Sequence, residues 1–380
     1  MKKRKLYYLG APGDGFGWGV ANKNLIRELA QLCDLELASR KRHKFDAPIF
    51  LPIDRPDLKP PVKYRAPRVM GYAFAEWPLP PIAKHHATQY DIIFAGSTWC
   101  AQRIHACCSS RGDEALTEKS KVRVLLQGID HSLFSPHPPS ERKGFTVFSG
   151  GKFEFRKGQD LVLAAMRIFM AAHSDVILIC SWENQWAQSI LSMKNSWLID
   201  FEDPLRGLPE DRVIFLPPVP NEKMAALYAQ SHIGLFPNRC EAGTNLVMCE
   251  FMACSRPVIA TYATGHKDVF GSLNLNLNPN LNLPSYLLSN GQYDPAGWFN
   301  AEVSDIVSML EHAYTHRSEL EARGQACAEL VQHLTWSQCA QQIVATAFGE
   351  VGVQASACPK HVEVSSGLPV GFAPALKFQI

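Results

Sequence analysis

No stretch of the 380 residues is apolar for long enough to cross a bilayer. The longest run, LVLAAMRIFMAAHSDVILIC, is broken by Arg167 and by His173, Ser174 and Asp175, whereas a spanning helix needs roughly 20 apolar residues. MKKRKLYYLGAP has few apolar residues before Gly10, so no secretory pattern opens the chain. The 11 cysteines are odd in number and scattered. Reduced thiols in a cytoplasmic protein are therefore expected, and peripheral contact with a membrane surface stays open. A net charge of +2 argues against a surface built for polyanions, so no nucleic-acid partner is expected. The local cluster Arg40, Lys41, Arg42 and Lys44 reads as a solvated loop or as a patch for an acidic partner.

Several catalytic signatures are missing too. There is no G-x-S-x-G elbow and no D-x-D. The strict G-x-G-x-x-G of dinucleotide enzymes also fails, because the sixth position from Gly13 is Trp18 and from Gly15 is Val20. His85-His86 and Cys107-Cys108 lack partners at ligand spacing, so both pairs read as structural and no metal is expected.

What is present is length and alternation. With 46% hydrophobic residues, the chain can fill two cores at roughly 100–200 residues per domain. KLYYLG, DLELAS, RVMGYAF, YDIIFAGS and VRVLLQG read as strands, with GVANKNLIRELAQLC and TWCAQRIHACC as helices among them. On the first helix Val20, Leu25, Ile26, Leu29 and Leu32 share one side. SPHPPSERKG has the composition of an interdomain connection. Beyond it FTVFSGG, DVILICSW, RVIFLPPV, IGLFPN and RPVIATYA alternate with helices. The expectation is α/β: two doubly wound parallel-sheet domains in tandem. The first covers 1–136, a linker 137–144 and the second 145–334. TWSQCAQQIVATAFGEV gives a last helix, 335–351, crossing back to the first domain, and 352–380 is expected to be poorly ordered. NLNLNPNLNLP, 274–284, reads as an irregular surface excursion.

Three stations stand at strand-to-helix junctions, where open α/β sheets bind ligands. In GAPGDGFGWGVANKNL, glycines 13, 15, 17 and 19 let backbone N–H groups approach an anion, or simply make a tight turn. In SGGKFEFRKGQDLVLAA, Lys152 and Lys157 flank a loop before a helix. Two cations there suit a diphosphate, or are a solvated basic turn. The third is RCEAGTNLVMCEFMACSRPVIA. On one continuous helix Glu241 and Glu250 would lie about 180° apart at roughly 100° per residue, so the helix must start between them. Gly243-Thr244-Asn245 supplies the start, placing the helix from Asn245 or Leu246 to about Cys254. Glu241 is then free in the loop, both carboxylates can accept from hydroxyls of one ligand, and the N–H groups of 243–246 are left for phosphate oxygens. The plainer alternative is a capped core helix with Glu250 exposed.

In this order and at these spacings the stations resemble retaining GT-B glycosyltransferases of family 4, the glycosyl transferases group 1 type, from about residue 8 to 348. SGGKFEFRKGQDL is similar to that family's G-R-L-x-x-x-K-G, LLQGIDHSLFSP to its NGVD segment, YDIIFAGSTW to its strand ending in Ser-x-Trp, and EAGTNLVMCE to its E-x7-E block. The resemblance implies two Rossmann-like domains facing a central cleft, and a hexosyltransferase taking a nucleotide-diphosphate-sugar donor without a metal or other cofactor. Lys157 and Lys152 would then meet the donor diphosphate, Glu241 the transferred sugar and Glu250 the ribose. Backbone amides of Gly243, Thr244, Asn245 and Leu246 would meet the phosphates, Gly17 to Gly19 would close over them, and Val219 would touch the base.

Three departures stand out. Eight residues separate Glu241 from Glu250 instead of seven, Lys152 replaces an arginine and so loses the bidentate fork, and Ala75-Glu76-Trp77 stands where many relatives have a histidine. Glu76 is thus the acceptor-side candidate. The acceptor itself, whether glycan, lipid-linked or protein, is not legible. The alternatives within reach of the fold are a nucleotide-sugar epimerase, a phosphorylase-like enzyme, or an inactive binding protein.

Overall fold

A computed structural model describes residues 3–108, 121–137, 144–271 and 286–349. The 274–284 repeat, the middle of the linker and the 352–380 tail lie outside the described residues.

The apolar runs at the front become a parallel sheet of β1 (Lys5–Tyr8), β2 (Asp34–Leu37), β3 (Ile49–Ile53), β4 (Val69–Ala73), β5 (Ile92–Ala95) and β6 (Val122–Val124). Their spatial order is β2-β1-β3-β4-β5-β6. The second series makes β7 (Phe145–Gly150), β8 (Val176–Ser181), β9 (Val213–Phe215), β10 (Ile233–Phe236), β11 (Val258–Thr261) and β12 (Tyr286–Leu288). These run β12-β11-β10-β7-β8-β9, again all parallel. Both orders reverse direction once, at β1/β3 in the first sheet and at β7/β10 in the second. That reversal opens a crevice at the carboxyl ends of the strands, and each sheet turns its crevice to the same cleft. A small antiparallel hairpin, Gly291–Tyr293 with Phe299–Ala301, is added to the second domain.

Two sheet strands, β3 and β12, are absent from the sequence reading, and one helical position differs from it. IFLPI is not among the strands read from the sequence, and proline cannot donate to a ladder, yet β3 is central. Leu9 N–H donates to Phe50 O, so Phe50 faces β1, and Pro52, two residues on, faces the same side. Pairing with β1 ends at Phe50, so the missing N–H falls where no ladder bond is due. Leu32, placed on the apolar side of its helix, is 40% exposed, and Cys33 at the helix end is buried in its stead.

Apolar clusters lie on both faces of each sheet. One of them joins Ala21, Leu25 and Leu29 of the helix Gly17–Leu32 to Trp336, Ala340 and Ile343 of the last helix, Trp336–Phe348. The last helix of the chain therefore packs on the first domain.

Candidate functional site

The cleft between the sheets encloses about 550 Å³. Its second-domain side is built on the loops that leave β7 and β10. After β7 the chain turns through Gly151 and a short 3-10 segment, Phe155–Lys157, then enters the helix Gln159–Ala172 through Gly158 at φ 74°. A side chain at Gly158 would meet Pro237 O at 2.4 Å. Only glycine satisfies both the left-handed backbone and the close approach.

The two loops are pinned to each other by a buried pair: Arg239 donates to both oxygens of Asp160 at 2.7 and 2.8 Å and stacks on Phe155 at 3.8 Å. Arg239 N–H also donates to Arg156 O at 2.8 Å. Lys157 is thereby delivered to Glu241, and the two form a direct ion pair. Asn238 donates to the same carboxylate at 2.5 Å, and Arg156 approaches its other oxygen at 3.4 Å. Burial alone would raise Glu241, but Lys157 and Arg156 outweigh it and hold the carboxyl at about 2. Glu241 is thus an anion at neutral pH, able only to accept hydrogen bonds.

Arg156 is the hub that sequence reasoning missed. It is buried, and its Nη2 meets Glu154 at 2.7 Å and Glu76 of the first domain at 2.9 Å. The first-domain segment around Glu76 is held further by Trp298, whose indole N–H donates to Glu76 O at 2.8 Å. Lys152 is less confined: its side chain is 39% exposed, 3.7 Å from Glu154, and sits 4.7 Å from the centre of the Trp186 ring. Burial and the neighbouring Arg156 lower its pKa.

The helix Leu246–Ala253 begins where the sequence placed it, and Asn245 is its cap in a left-handed conformation, φ 63°. Asn245 Oδ1 accepts from Met248 N–H at 3.4 Å, and its Nδ2 lies 3.2 Å from His266 Nε2. His266 is buried, and burial pushes it down to about 4, so it is neutral. Its Nδ1–H faces Thr261 O at 3.1 Å, leaving Nε2 as the acceptor that orients the Asn245 amide. The first N–H groups of the helix, from Leu246, have no intrahelical acceptor.

Glu250 is also buried, unlike the exposed residue of the plainer alternative, and its partners are uncharged. Asn221 donates to one oxygen at 3.1 Å and the Tyr228 hydroxyl to the other at 3.2 Å. Burial pushes its carboxyl up to about 7.

Of the residues singled out in the sequence, Gly17, Glu76, Lys152, Lys157, Val219, Glu241, Gly243, Asn245, Leu246 and Glu250 line this one cleft. Two do not. Thr244 is fully buried behind it, and Gly19 is turned away, its carbonyl accepting from Gly13 N–H at 3.1 Å. His86 is tied to Asp57 O at 2.8 Å. Cys108 is half-buried, which pushes its thiol up to about 11. Among the described residues His312, His316 and Glu319 bring potential metal-ligand atoms within 4.8 Å of one another, but none of the three lines the cleft. No helix among the described residues is long and apolar enough to cross a membrane.

Residues 144–280 match the family model described as glycosyl transferases group 1. A curated D-inositol 3-phosphate glycosyltransferase of Acidothermus cellulolyticus is 23% identical over 216 residues, 52% of this chain and 45% of that one. The match therefore spans about half of that relative's length. Among solved structures, Anabaena HepE in complex with UDP and glucose superposes with a TM-score of 0.65 at 14% identity, covering 92% of this chain and 100% of that one. The sucrose-phosphate synthase of Thermosynechococcus elongatus gives 0.58 at 15% identity, covering 91% and 99%. An E. coli chain solved with UDP-2-fluoro glucose gives 0.61 at 11%, covering 90% and 98%. The two parallel six-stranded domains facing a cleft are the GT-B fold.

Proposed function

We propose that the protein is a retaining glycosyltransferase that takes a hexose from a nucleotide-diphosphate-sugar donor, without a metal, and passes it to an acceptor held on the first domain. The observation that carries this reading is the gathering in one cleft of Lys152, Lys157, an open helix N-terminus at Leu246 and two buried glutamates in opposite electrostatic settings. Family resemblance and the UDP-bound neighbours support it.

In this reading the two lysines and the helix end take the charge that builds on the diphosphate as its bond to the sugar breaks. The anionic Glu241 accepts from hydroxyls of the transferred sugar, Glu250 accepts from the ribose, and Val219 lies beside the base. The bond from the anomeric carbon to the diphosphate breaks while a bond to an acceptor hydroxyl oxygen forms on the same face. The hydroxyl proton passes to the departing phosphate oxygen, so no enzyme base is needed. Closure of the cleft excludes water and disfavours hydrolysis of the donor.

Two measurements test the proposal. A thermal-shift screen against UDP, GDP, ADP and their sugar conjugates should show one stabilising series, since a ligand at about a hundred times its Kd adds roughly 2.7 kcal/mol. The shift should shrink in Lys157→Ala and Glu250→Ala. No shift with any nucleotide would favour a binding protein that kept the fold without the activity. With a donor in hand, NMR of the product should show the anomeric configuration retained, and an inverted product would overturn the mechanism.

A further inference from the structure

The two walls of the cleft carry opposite chemistry. The lysines and arginines that line it, Lys152, Arg156 and Lys157, all come from the second domain. The first domain's wall instead presents Asp14, Phe16, Trp18, Phe74, Glu76 and Gln127. Basic side chains of that domain are paired with carboxylates: Lys23 with Asp14 of the wall itself at 2.8 Å, and, away from the cleft, Arg27 with Asp130 at 2.7 Å and Arg42 with Glu36 at 2.9 Å. The helix from Gly17 does open its N-terminus onto this wall, but two carboxylates stand with it, and the cation beside each is already paired.

Three polar groups on this wall are left without protein partners. Gln127 is 8% exposed, and its amide makes no hydrogen bond to a described residue. The Trp18 indole N–H makes none either, although the ring is fixed edge-on against Tyr72 at 5.7 Å and Phe74 at 5.0 Å. Glu76 meets Arg156 through Oε1, and its Oε2 has no partner among the described residues. An amide, an indole N–H and a carboxylate oxygen thus border the same cleft as a fixed aromatic face, and none of them is among the buried polar atoms closed off without a partner. Donors and acceptors in that mixture match vicinal hydroxyls, and the ring matches the C–H face of a sugar. A phosphate dianion would find at this wall only cations already paired with its carboxylates, Lys23 with Asp14 and Arg156 with Glu76.

We propose that the acceptor is an uncharged polyhydroxyl compound, a neutral sugar or glycan end held by Trp18, Gln127 and Glu76, and that phosphorylated acceptors are refused. The inference rests on the transferase reading of the cleft. It separates this chain from those it resembles whose names carry phosphate, the D-inositol 3-phosphate glycosyltransferase and the sucrose-phosphate synthase.

The test is saturation-transfer NMR on the full chain, which needs no turnover, with glucose, mannose and maltose against glucose 6-phosphate and mannose 6-phosphate. At least one neutral sugar should bind, its phosphorylated counterpart at least tenfold more weakly. Gln127→Lys, which places a cation on the wall, should narrow that gap. A phosphorylated sugar that binds as well as its neutral parent, or binding by none of the neutral probes, overturns the inference. Failure of the donor reading is seen separately, as the absence of any nucleotide shift in the thermal screen while the preference for neutral sugars persists.

Discussion

Glu241 and Glu250 are both buried in one cleft, yet their surroundings drive them apart. Cations on both oxygens hold Glu241 at about 2, whereas burial with only neutral donors pushes Glu250 up to about 7 from 4.5. The folded value of Glu250 lies above the unfolded one. Its neutral form is therefore stable below pH 4.5, and stability is lost as pH rises from there through about 7. The full loss is about 3 kcal/mol, at roughly 1.4 kcal/mol for each pH unit of displacement. Glu250→Gln should accordingly be more stable than wild type in urea at pH 8, with most of the gain gone by pH 5. A gain independent of pH would mean that Glu250 does not titrate there. These two glutamates were legible because helical phase forces a break between them. Arg156 was not: in sequence it stands beside Lys157 and reads as one more solvated cation, and Glu241, one of its partners, is 85 residues away. Burial of a charge is decided by partners that the fold assembles, which no local pattern displays.

At the scale of elements, the strands and helices that carry the cleft were readable where period and punctuation agree. Asn245 as a cap and Gly158 as a turn are local chemistry, and the structure uses both so. β3 was not read from the sequence; it tolerates Pro52 because proline is excluded only where its N–H would meet a neighbour, and the register gives Pro52 none. The hairpin Gly291–Tyr293 with Phe299–Ala301 is too short to carry an alternation. The same local logic makes a graded prediction at the loop that delivers Lys157. Gly151 (φ 116°) and Gly158 (φ 74°) both have left-handed backbone, but a Cβ at Gly151 has no neighbour nearer than 3.7 Å, whereas at Gly158 it strikes a carbonyl at 2.4 Å. Gly151→Ala should cost about 1 kcal/mol from backbone strain, and Gly158→Ala about 2–3 kcal/mol because strain and crowding combine. Urea midpoints of the two variants would show the order, and equal losses would mean that the Pro237 carbonyl yields.

For the whole molecule, the chain crosses between domains twice, and the second crossing is part of a core. Trp336, Cys339, Ala340, Ile343 and Ala347 pack with Leu6, Tyr8, Leu25 and Leu29, and Ile129 N–H donates to Leu334 O at 2.9 Å just before that helix begins. Removing the helix would uncover one face of the first sheet, and burial of side chains such as these contributes about 1.5–3 kcal/mol each. A domain that owns only part of its core should not fold by itself. Fragment 1–137 alone should therefore bind a hydrophobic dye and lose its near-ultraviolet circular dichroism while keeping secondary structure. Adding a peptide of residues 335–349 should restore both signals. If the fragment unfolds cooperatively without the peptide, the last helix is an ornament on a complete domain. If it does not, the two domains cannot swing apart on a single linker. Opening of the cleft must then bend both crossings together, a hinge that keeps the wall of Lys152, Arg156 and Lys157 facing the wall of Trp18, Gln127 and Glu76.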